Sequence, residues 1–229
     1  MFLNFANTET RTHEMQTIQQ FINYLLAEKG YSQATALSYR IALTDLWKFC
    51  QRTDMQITWT TLDKDILRQW MAKDMEQGIT ARTVNRKMSA VRSFYRYMLR
   101  MEYVIVDPTA QLKNPKVERR LPTFVKEQEM DRLFDEVSFG EGYEADRDRL
   151  ILLTFYSTGV RLSELLGLKV SDVDLTAKEL KVLGKRNKHR VIPFGDELAE
   201  AFKVFFHVRG AEIRQDLGEI FLRKEGKKM

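Results

Sequence analysis

The residues best suited to chemistry lie in the segment 157–168, where Thr158 and Gly159 precede Arg161 and Glu164. Glycine permits a tight turn, and a helix that starts after the turn presents free N–H groups that favour an anion. A guanidinium stays protonated and bonds two oxygens of one phosphate. The segment therefore predicts either an oxyanion site at Arg161 or an ordinary capped helix with a surface arginine. In the first case Ser163 and Glu164 could cap the helix, and Glu164 could hold the arginine or a neighbouring segment of the chain.

A second segment is basic. Lys185 follows Arg161 by 24 residues and opens the sequence KRNKHR, which ends at Arg190. A lysine at a hairpin tip could donate a proton to a departing oxygen, and the alternative is a basic turn on the surface. The pattern does not match a Walker phosphate-binding loop, because no glycine stands five residues before Gly184 and no Ser or Thr follows Lys185.

A third pattern is an arginine stripe on the stretch 81–101. At 100° per residue, five arginines fall within about 120° and the apolar residues occupy the opposite side. The arginines are Arg82, Arg86, Arg92, Arg96 and Arg100, and the apolar residues are Val84, Met88, Val91, Phe94, Tyr95, Met98 and Leu99. A stripe without carboxylates suits a nucleic-acid backbone, and Arg40 is added as a candidate DNA contact. The alternatives are a solvated helix face and a face that binds an acidic protein.

Four blocks of sequence, in order, resemble the tyrosine recombinases, especially their Xer-like and phage-integrase members. They are YSQATALSY at 31–39, TVNRK with FY at 83–95, NPK before LP at 114–122, and TGVRLSELLGL at 158–168 followed by the basic segment at 184–190. The resemblance implies site-specific recombination of double-stranded DNA through a 3' phosphotyrosine, by a homo- or heterotetramer, without metal or cofactor. It implies that Arg161 and Lys185 are catalytic, with Lys185 as general acid, and that Lys188 and Arg190 contact DNA.

The resemblance also implies an H-x-x-R box and a nucleophilic tyrosine after the lysine hairpin. His189 and His207 lack an arginine three positions on, and the last tyrosine is Tyr156. We therefore expect a C-terminally truncated recombinase that is inactive alone, with a non-catalytic DNA-binding protein as the alternative. Lost packing partners should expose an apolar patch, which comprises Phe202, Phe205, Phe206, Leu217, Ile220 and Phe221.

Helical periodicity dominates the first half of the chain. Four apolar-periodic stretches run from Met15 to about Tyr103, and the last three span 33–51, 64–77 and 81–101. In the second of the four stretches we predict a buried stripe, which comprises Leu37, Ile41, Leu43, Leu46 and Trp47.

The second half mixes helices and strands. Helices are predicted at 126–137, 145–157 and 197–208, a hairpin at 179–183 and 189–193, and the start of a strand at 219–222. We expect a mainly α fold with a small β-hairpin or sheet. The resemblance implies that it comprises an N-terminal four-helix core-binding, SAM-like domain at 1–112 and an incomplete α+β catalytic domain at 123–229, joined by a basic linker at 113–122.

Composition and charge further restrict the class of protein. The 229 residues are 44% hydrophobic, which suffices for a core, and the 37 Lys and Arg against 32 Asp and Glu give a formal net charge of +5. No apolar run approaches the ~18 residues of a membrane span, and no signal peptide is evident, so we expect a cytoplasmic protein. A single cysteine excludes an internal disulfide and a Cys-based zinc site, and Cys50 is expected in the core. Asp172 and Asp174 are expected in a turn or cap rather than at a metal.

Overall fold

The structure is a computed structural model that describes residues 2–118, 125–184, 188–213 and 218–229, with side chains from residue 12 onward. The chain divides into two compact units, Met1–Leu121 and Pro122–Met229, and each is described by itself. The described part of the first unit consists of helices and loops, and the second combines helices with a three-stranded antiparallel sheet. The predicted fold class is confirmed.

Four helices form the first unit: α1 Phe2–Ala27, α2 Gln33–Thr53, α3 Lys64–Glu76 and α4 Ala81–Arg100. The last three begin after Ser32, Asp63 and Thr80, whose side-chain oxygens accept N–H bonds from the first turn. Helix α1 begins at Phe2, well before the predicted Met15. The other helices agree with the prediction to within two residues.

Aromatic side chains fill the core of the first unit. Trp59, Phe94 and Tyr95 are at most 1% exposed, and the Tyr95 hydroxyl donates a hydrogen bond to the Trp59 carbonyl at 2.9 Å. The prediction that Cys50 is buried is confirmed, and burial raises the pKa of its thiol to about 12.

The buried face of α2 differs from the predicted stripe. Leu43, Leu46 and Trp47 are buried, whereas Leu37 and Ile41 are 57% and 59% exposed. At 100° per residue Leu37 and Ile41 lie on the side of the helix roughly opposite Leu46, so the five residues do not share one face. Leu99, predicted on the apolar side of α4, is also exposed, because it lies at the edge of that arc.

The second unit contains helices α5 Glu127–Asp135, α6 Tyr143–Thr158, α7 Leu162–Leu166 and α8 Asp196–Glu212, with a 3-10 turn at Val170–Asp172. Strands β1 Val173–Asp174, β2 Glu179–Leu183 and β3 His189–Pro193 pair in that order. In the hairpin, Glu179 lies opposite Pro193 and Leu183 opposite His189. The hairpin prediction is therefore confirmed.

The predicted exposed apolar patch is wrong for the residues that the structure describes. Phe202, Phe205, Ile220 and Phe221 are at most 1% exposed and belong to the core of the second unit. Phe206 is partly buried against that core, and Leu217 lies outside the described residues.

The physical reason is that the segment 218–222 closes over the core. The Tyr143 hydroxyl and the Arg147 guanidinium each donate to the Leu222 carbonyl at 3.1 Å. The predicted strand at 219–222 is replaced by single bridges, from Glu219 to Lys169 and from Leu222 to Lys228.

Within the described residues, no helix has both the length and the apolar character needed to cross a bilayer.

Candidate active site and nucleic-acid interface

The turn before Arg161 is built on a left-handed glycine. Gly159 has φ 60° and ψ 24°, and its N–H bonds the Phe155 carbonyl at 2.9 Å, which ends α6. L-residues with a side chain rarely adopt this conformation. Two residues later Arg161 occupies the N-cap position of α7 in an extended conformation, so the turn sets the guanidinium at the start of the next helix.

Glu164 holds two arginines at once. Its Oε2 accepts the backbone N–H of Arg161 at 2.8 Å, and its Oε1 accepts Nη1 of the same residue at 2.8 Å. Arg190 on β3 donates Nη1 and Nη2 to the two oxygens at 2.7 and 2.8 Å. The predicted capping role of Glu164 and its hold on Arg161 are confirmed.

The charges in this cluster are locked in their ionised forms. Hydrogen bonds from Arg190 and from the Arg161 backbone lower the pKa of Glu164 to about 2, and the bond to Glu164 raises the pKa of Arg190. The Glu164 side chain is 3% exposed, whereas that of Arg161 is 67% exposed. A fixed guanidinium therefore faces solvent with N–H groups to spare for an anion.

The hairpin carries the other predicted residues of this unit. Lys188 is exposed, and its carbonyl accepts the Gly184 N–H at 2.8 Å. Lys185 lies outside the described residues. Arg190 donates both Nη atoms to Glu164, because this buried carboxylate lies within reach of β3, and its contact with DNA stays a prediction.

Gly184 has a packing role that sequence reasoning missed. A Cβ at this position would lie 3.2 Å from the Lys188 carbonyl and 3.3 Å from Nη1 of Arg190. Such contacts are tighter than ordinary van der Waals packing, so the absence of a side chain lets the hairpin close against the ion cluster. No local signal in the sequence indicated the contact of Arg190, because the exposed position between the partly buried Arg190 and Ile192 is occupied by an apolar residue, Val191.

The arginines of α4 form the candidate nucleic-acid interface, which we call the arginine face: Arg82, Arg86, Arg92, Arg96 and Arg100. All are exposed except Arg92, which is partly buried and donates to the Leu112 carbonyl at 2.9 Å. Arg100 donates to the Tyr24 hydroxyl at 2.9 Å, and Arg86 to the Ser38 hydroxyl. Arg82 and Arg96 make no hydrogen bond or ion pair among the described residues, so their donors are free for phosphate. Arg40 is exposed on α2.

Lys87 is the basic residue of α4 that turns inward. Its Nζ contacts Asp45 Oδ2 and Asp74 Oδ2, each at 2.7 Å. Burial lowers its pKa, but hydrogen bonds to the two carboxylates outweigh that effect and raise it. These two ion pairs join α2, α3 and α4, and neither carboxylate forms an ion pair with the arginine face among the described residues.

Carboxylates of the second unit serve as caps. Asp172 accepts the Lys169 N–H at 2.9 Å, and Asp174 accepts the N–H groups of Thr176 and Ala177. The predicted turn and cap roles of Asp172 and Asp174 are confirmed. The described residues contain no group of three or more His, Cys, Asp or Glu placed to hold a metal ion.

Comparison with known proteins identifies the family. The model "Phage integrase, N-terminal SAM-like domain" matches residues 18–102, and the model "Phage integrase family" matches residues 123–229. The tyrosine recombinase XerC of Azotobacter vinelandii is 36% identical over 212 residues, which are 93% of this chain and 70% of that protein. The chain belongs to the tyrosine recombinase family. XerC of Staphylococcus carnosus is 35% identical over 195 residues, 85% of this chain and 65% of the relative.

Solved structures of this family share the fold. The Tn1549 transposon integrase in complex with transposon right-end DNA superposes with a TM-score of 0.70 at 15% identity, covering 93% of this chain and 73% of the other. A lambda integrase tetramer bound to a Holliday junction gives a TM-score of 0.67 at 14% identity, covering 93% and 60%. The recombinase architecture is therefore preserved although most side chains differ.

Proposed function

We propose that this tyrosine recombinase binds double-stranded DNA through the arginine face and acts in site-specific recombination, with Arg161 and Lys185 at the scissile phosphate. The observation that carries the binding half is the arginine face itself. Four of its five arginines are exposed, and none forms an ion pair with a carboxylate among the described residues. Guanidinium groups in this state displace the counterions of a phosphate backbone, which gives affinity that depends steeply on salt.

The chemical role proposed for Arg161 follows from its setting. When a phosphodiester is attacked, negative charge grows on the non-bridging oxygens, and a fixed guanidinium stabilises that charge without changing protonation. Glu164 fixes one edge of Arg161 and leaves the other N–H groups for the phosphate. Arg190 acts as a positioning residue, because it holds Glu164 in place from the neighbouring strand.

Lys185 is proposed as the general acid that protonates the departing 5' oxygen. Support comes from the resemblance and from the closed base of the hairpin, where Gly184 bonds Lys188. Lys188 is exposed beside this base and is proposed to contact a phosphate. A phosphotyrosine link conserves the energy of the broken bond, so the proposed reaction needs neither metal nor nucleotide cofactor.

The partners follow from the same proposal. The relatives are named tyrosine recombinase XerC, and one neighbour in fold is a tetramer bound to a Holliday junction. We infer that this protein acts on duplex DNA as a homo- or heterotetramer in the cytoplasm.

Two experiments test the proposal. In fluorescence anisotropy with a 30-bp duplex, the Kd should rise steeply with salt concentration, whereas absence of binding at 50 mM salt would exclude the DNA-binding half of the proposal.

The catalytic half needs a chimera in which residue 229 is followed by the corresponding C-terminal segment of a XerC relative. In that chimera Arg161→Ala and Lys185→Ala should retain DNA binding and lose strand cleavage, with Arg149→Ala as a control of equal charge change. Normal cleavage by either variant would exclude that residue from the active site.

A further inference from the structure

An apolar pair lies exposed on the outer face of α2. Leu37 and Ile41 are 57% and 59% exposed, and they are four residues apart, so their side chains adjoin on one helical face. A single exposed apolar residue is ordinary on a protein surface. Two in adjacent turns of one helix need an explanation, since neither belongs to the core of this unit or packs against it.

Charged side chains border the pair. Arg40 and Lys48 are exposed on the same face of α2, as the spacing of 3.6 residues per turn requires. Ser38, about 60° around the helix from Ile41, accepts a hydrogen bond from Arg86, which places the arginine face beside this one. Asp45, one turn beyond Ile41, is the one carboxylate of α2, and it pairs at 2.7 Å with Lys87, a cation that it shares with Asp74.

This surface combines two kinds of contact that duplex DNA offers at one groove. Arginine and lysine bind phosphates, which positions a protein without reading sequence. The major groove admits one α-helix, and the thymine 5-methyl is the apolar group that distinguishes bases there. The cations that border the pair fit the phosphates that line a groove, and a charge-rich border of this sign does not fit a cationic or purely apolar partner.

We propose that Leu37 and Ile41 determine DNA sequence preference by packing against thymine methyl groups in the major groove. The inference rests on the proposed function, that the first unit binds duplex DNA. It adds contacts to bases, which give sequence specificity, to the phosphate contacts of the arginine face, which carry no sequence information. The preferred site should contain thymine, on either strand, at the positions that face these two side chains.

The test begins with the full chain and a pool of randomised 30-bp duplexes, from which bound DNA is selected over several rounds. The preferred site is then made with thymine and with uracil, which lacks only the methyl group. The wild-type protein should bind the uracil site more weakly than the thymine site. The Kd should rise about fourfold for each contacted methyl, because that is the effect of removing one buried apolar carbon. The variant Leu37→Ala, Ile41→Ala should lose this difference and bind the two sites alike.

Met75→Ala serves as the matched control, because Met75 is an exposed apolar residue of α3 in the same unit. It should keep the wild-type ratio. A pool that stays random, equal wild-type affinity for the two sites, or an unchanged ratio in the double variant overturns the inference. If salt-dependent duplex binding persists in those cases, the proposed function stands. If the chain binds no duplex, both fail, and an acidic protein becomes the partner to seek.

Discussion

The Glu164 cluster yields a prediction whose size follows from the structure. We expect Glu164→Gln to destabilise the second unit, because glutamine keeps the volume of glutamate but presents an N–H donor to two guanidinium groups. A pKa lowered from 4.5 to about 2 corresponds to about 3 kcal/mol. Arg161 and Arg190 are 67% and 39% exposed, so water screens part of their interaction with Glu164. We therefore expect the free energy of unfolding to fall by about 2 kcal/mol.

The direction in which stability changes with pH follows from the lowered pKa of Glu164. The folded-state pKa of Glu164 lies below its unfolded value, so its contribution is fully present above about pH 4.5 and disappears as the pH falls towards 2. Glutamine does not titrate. The stability gap between wild type and Glu164→Gln should therefore be constant from pH 7 to about 5 and close progressively below that.

Urea denaturation measures this gap. The tryptophans Trp47, Trp59 and Trp70 all lie in the first unit, so their fluorescence gives an internal reference that the substitution should not shift. Far-UV circular dichroism responds to the helices of both units, so it also reports the unfolding of the second unit. Glu200→Gln is the matched control, because the Glu200 pair with Lys203 is solvent-exposed and should cost less than about 0.5 kcal/mol. A loss below about 0.5 kcal/mol for Glu164→Gln, or a gap that is the same at pH 7 and pH 3, would refute the reasoning.

Three further predictions concern the cores. Lys87→Met should cost the first unit about 3 kcal/mol or more by tryptophan fluorescence in urea, because Asp74, whose side chain is 3% exposed, loses its cation; a loss under about 1 kcal/mol would contradict the buried ion pair. Phe205→Ala should cost the second unit about 3 to 5 kcal/mol by circular dichroism, and a loss typical of a surface site would mean that the segment 218–222 does not cover it. Cys50 should resist a thiol reagent at pH 8 until the protein unfolds, because burial raises its pKa to about 12, and rapid labelling of the native protein would exclude that burial.

Local signals in the sequence were sufficient for most of the fold. Apolar periodicity marked α2, α3 and α4 to within two residues, and the two strands of the hairpin, β2 and β3, were predicted at their observed bounds. These signals act within a few residues, so they can be read without the tertiary structure. The start of α1 lacked such a signal and was placed too late.

The errors arose where tertiary packing decides. The closing segment 218–222 buries Phe205 and Phe221, which no local pattern indicates, because the bonds from Tyr143 and Arg147 to Leu222 span more than 70 residues of sequence. At the candidate site, the spacing of Arg161 and Glu164 predicted their contact. The third member of the cluster, Arg190, is 26 residues from Glu164, and only the pairing of the second unit's elements brings it there.

The central claim is that the arginine face contacts duplex DNA, and a salt titration tests it most directly. Five phosphate contacts predict a slope of about −4.5 for the logarithm of affinity against that of salt concentration. Replacing three of its four exposed residues, Arg82, Arg86 and Arg96, by alanine should reduce the slope to about −1.8. Replacing Lys64, Arg68 and Lys73 of α3, an equal change of charge, should leave it near −4.5. Equal slopes for the two triple variants would contradict the claim.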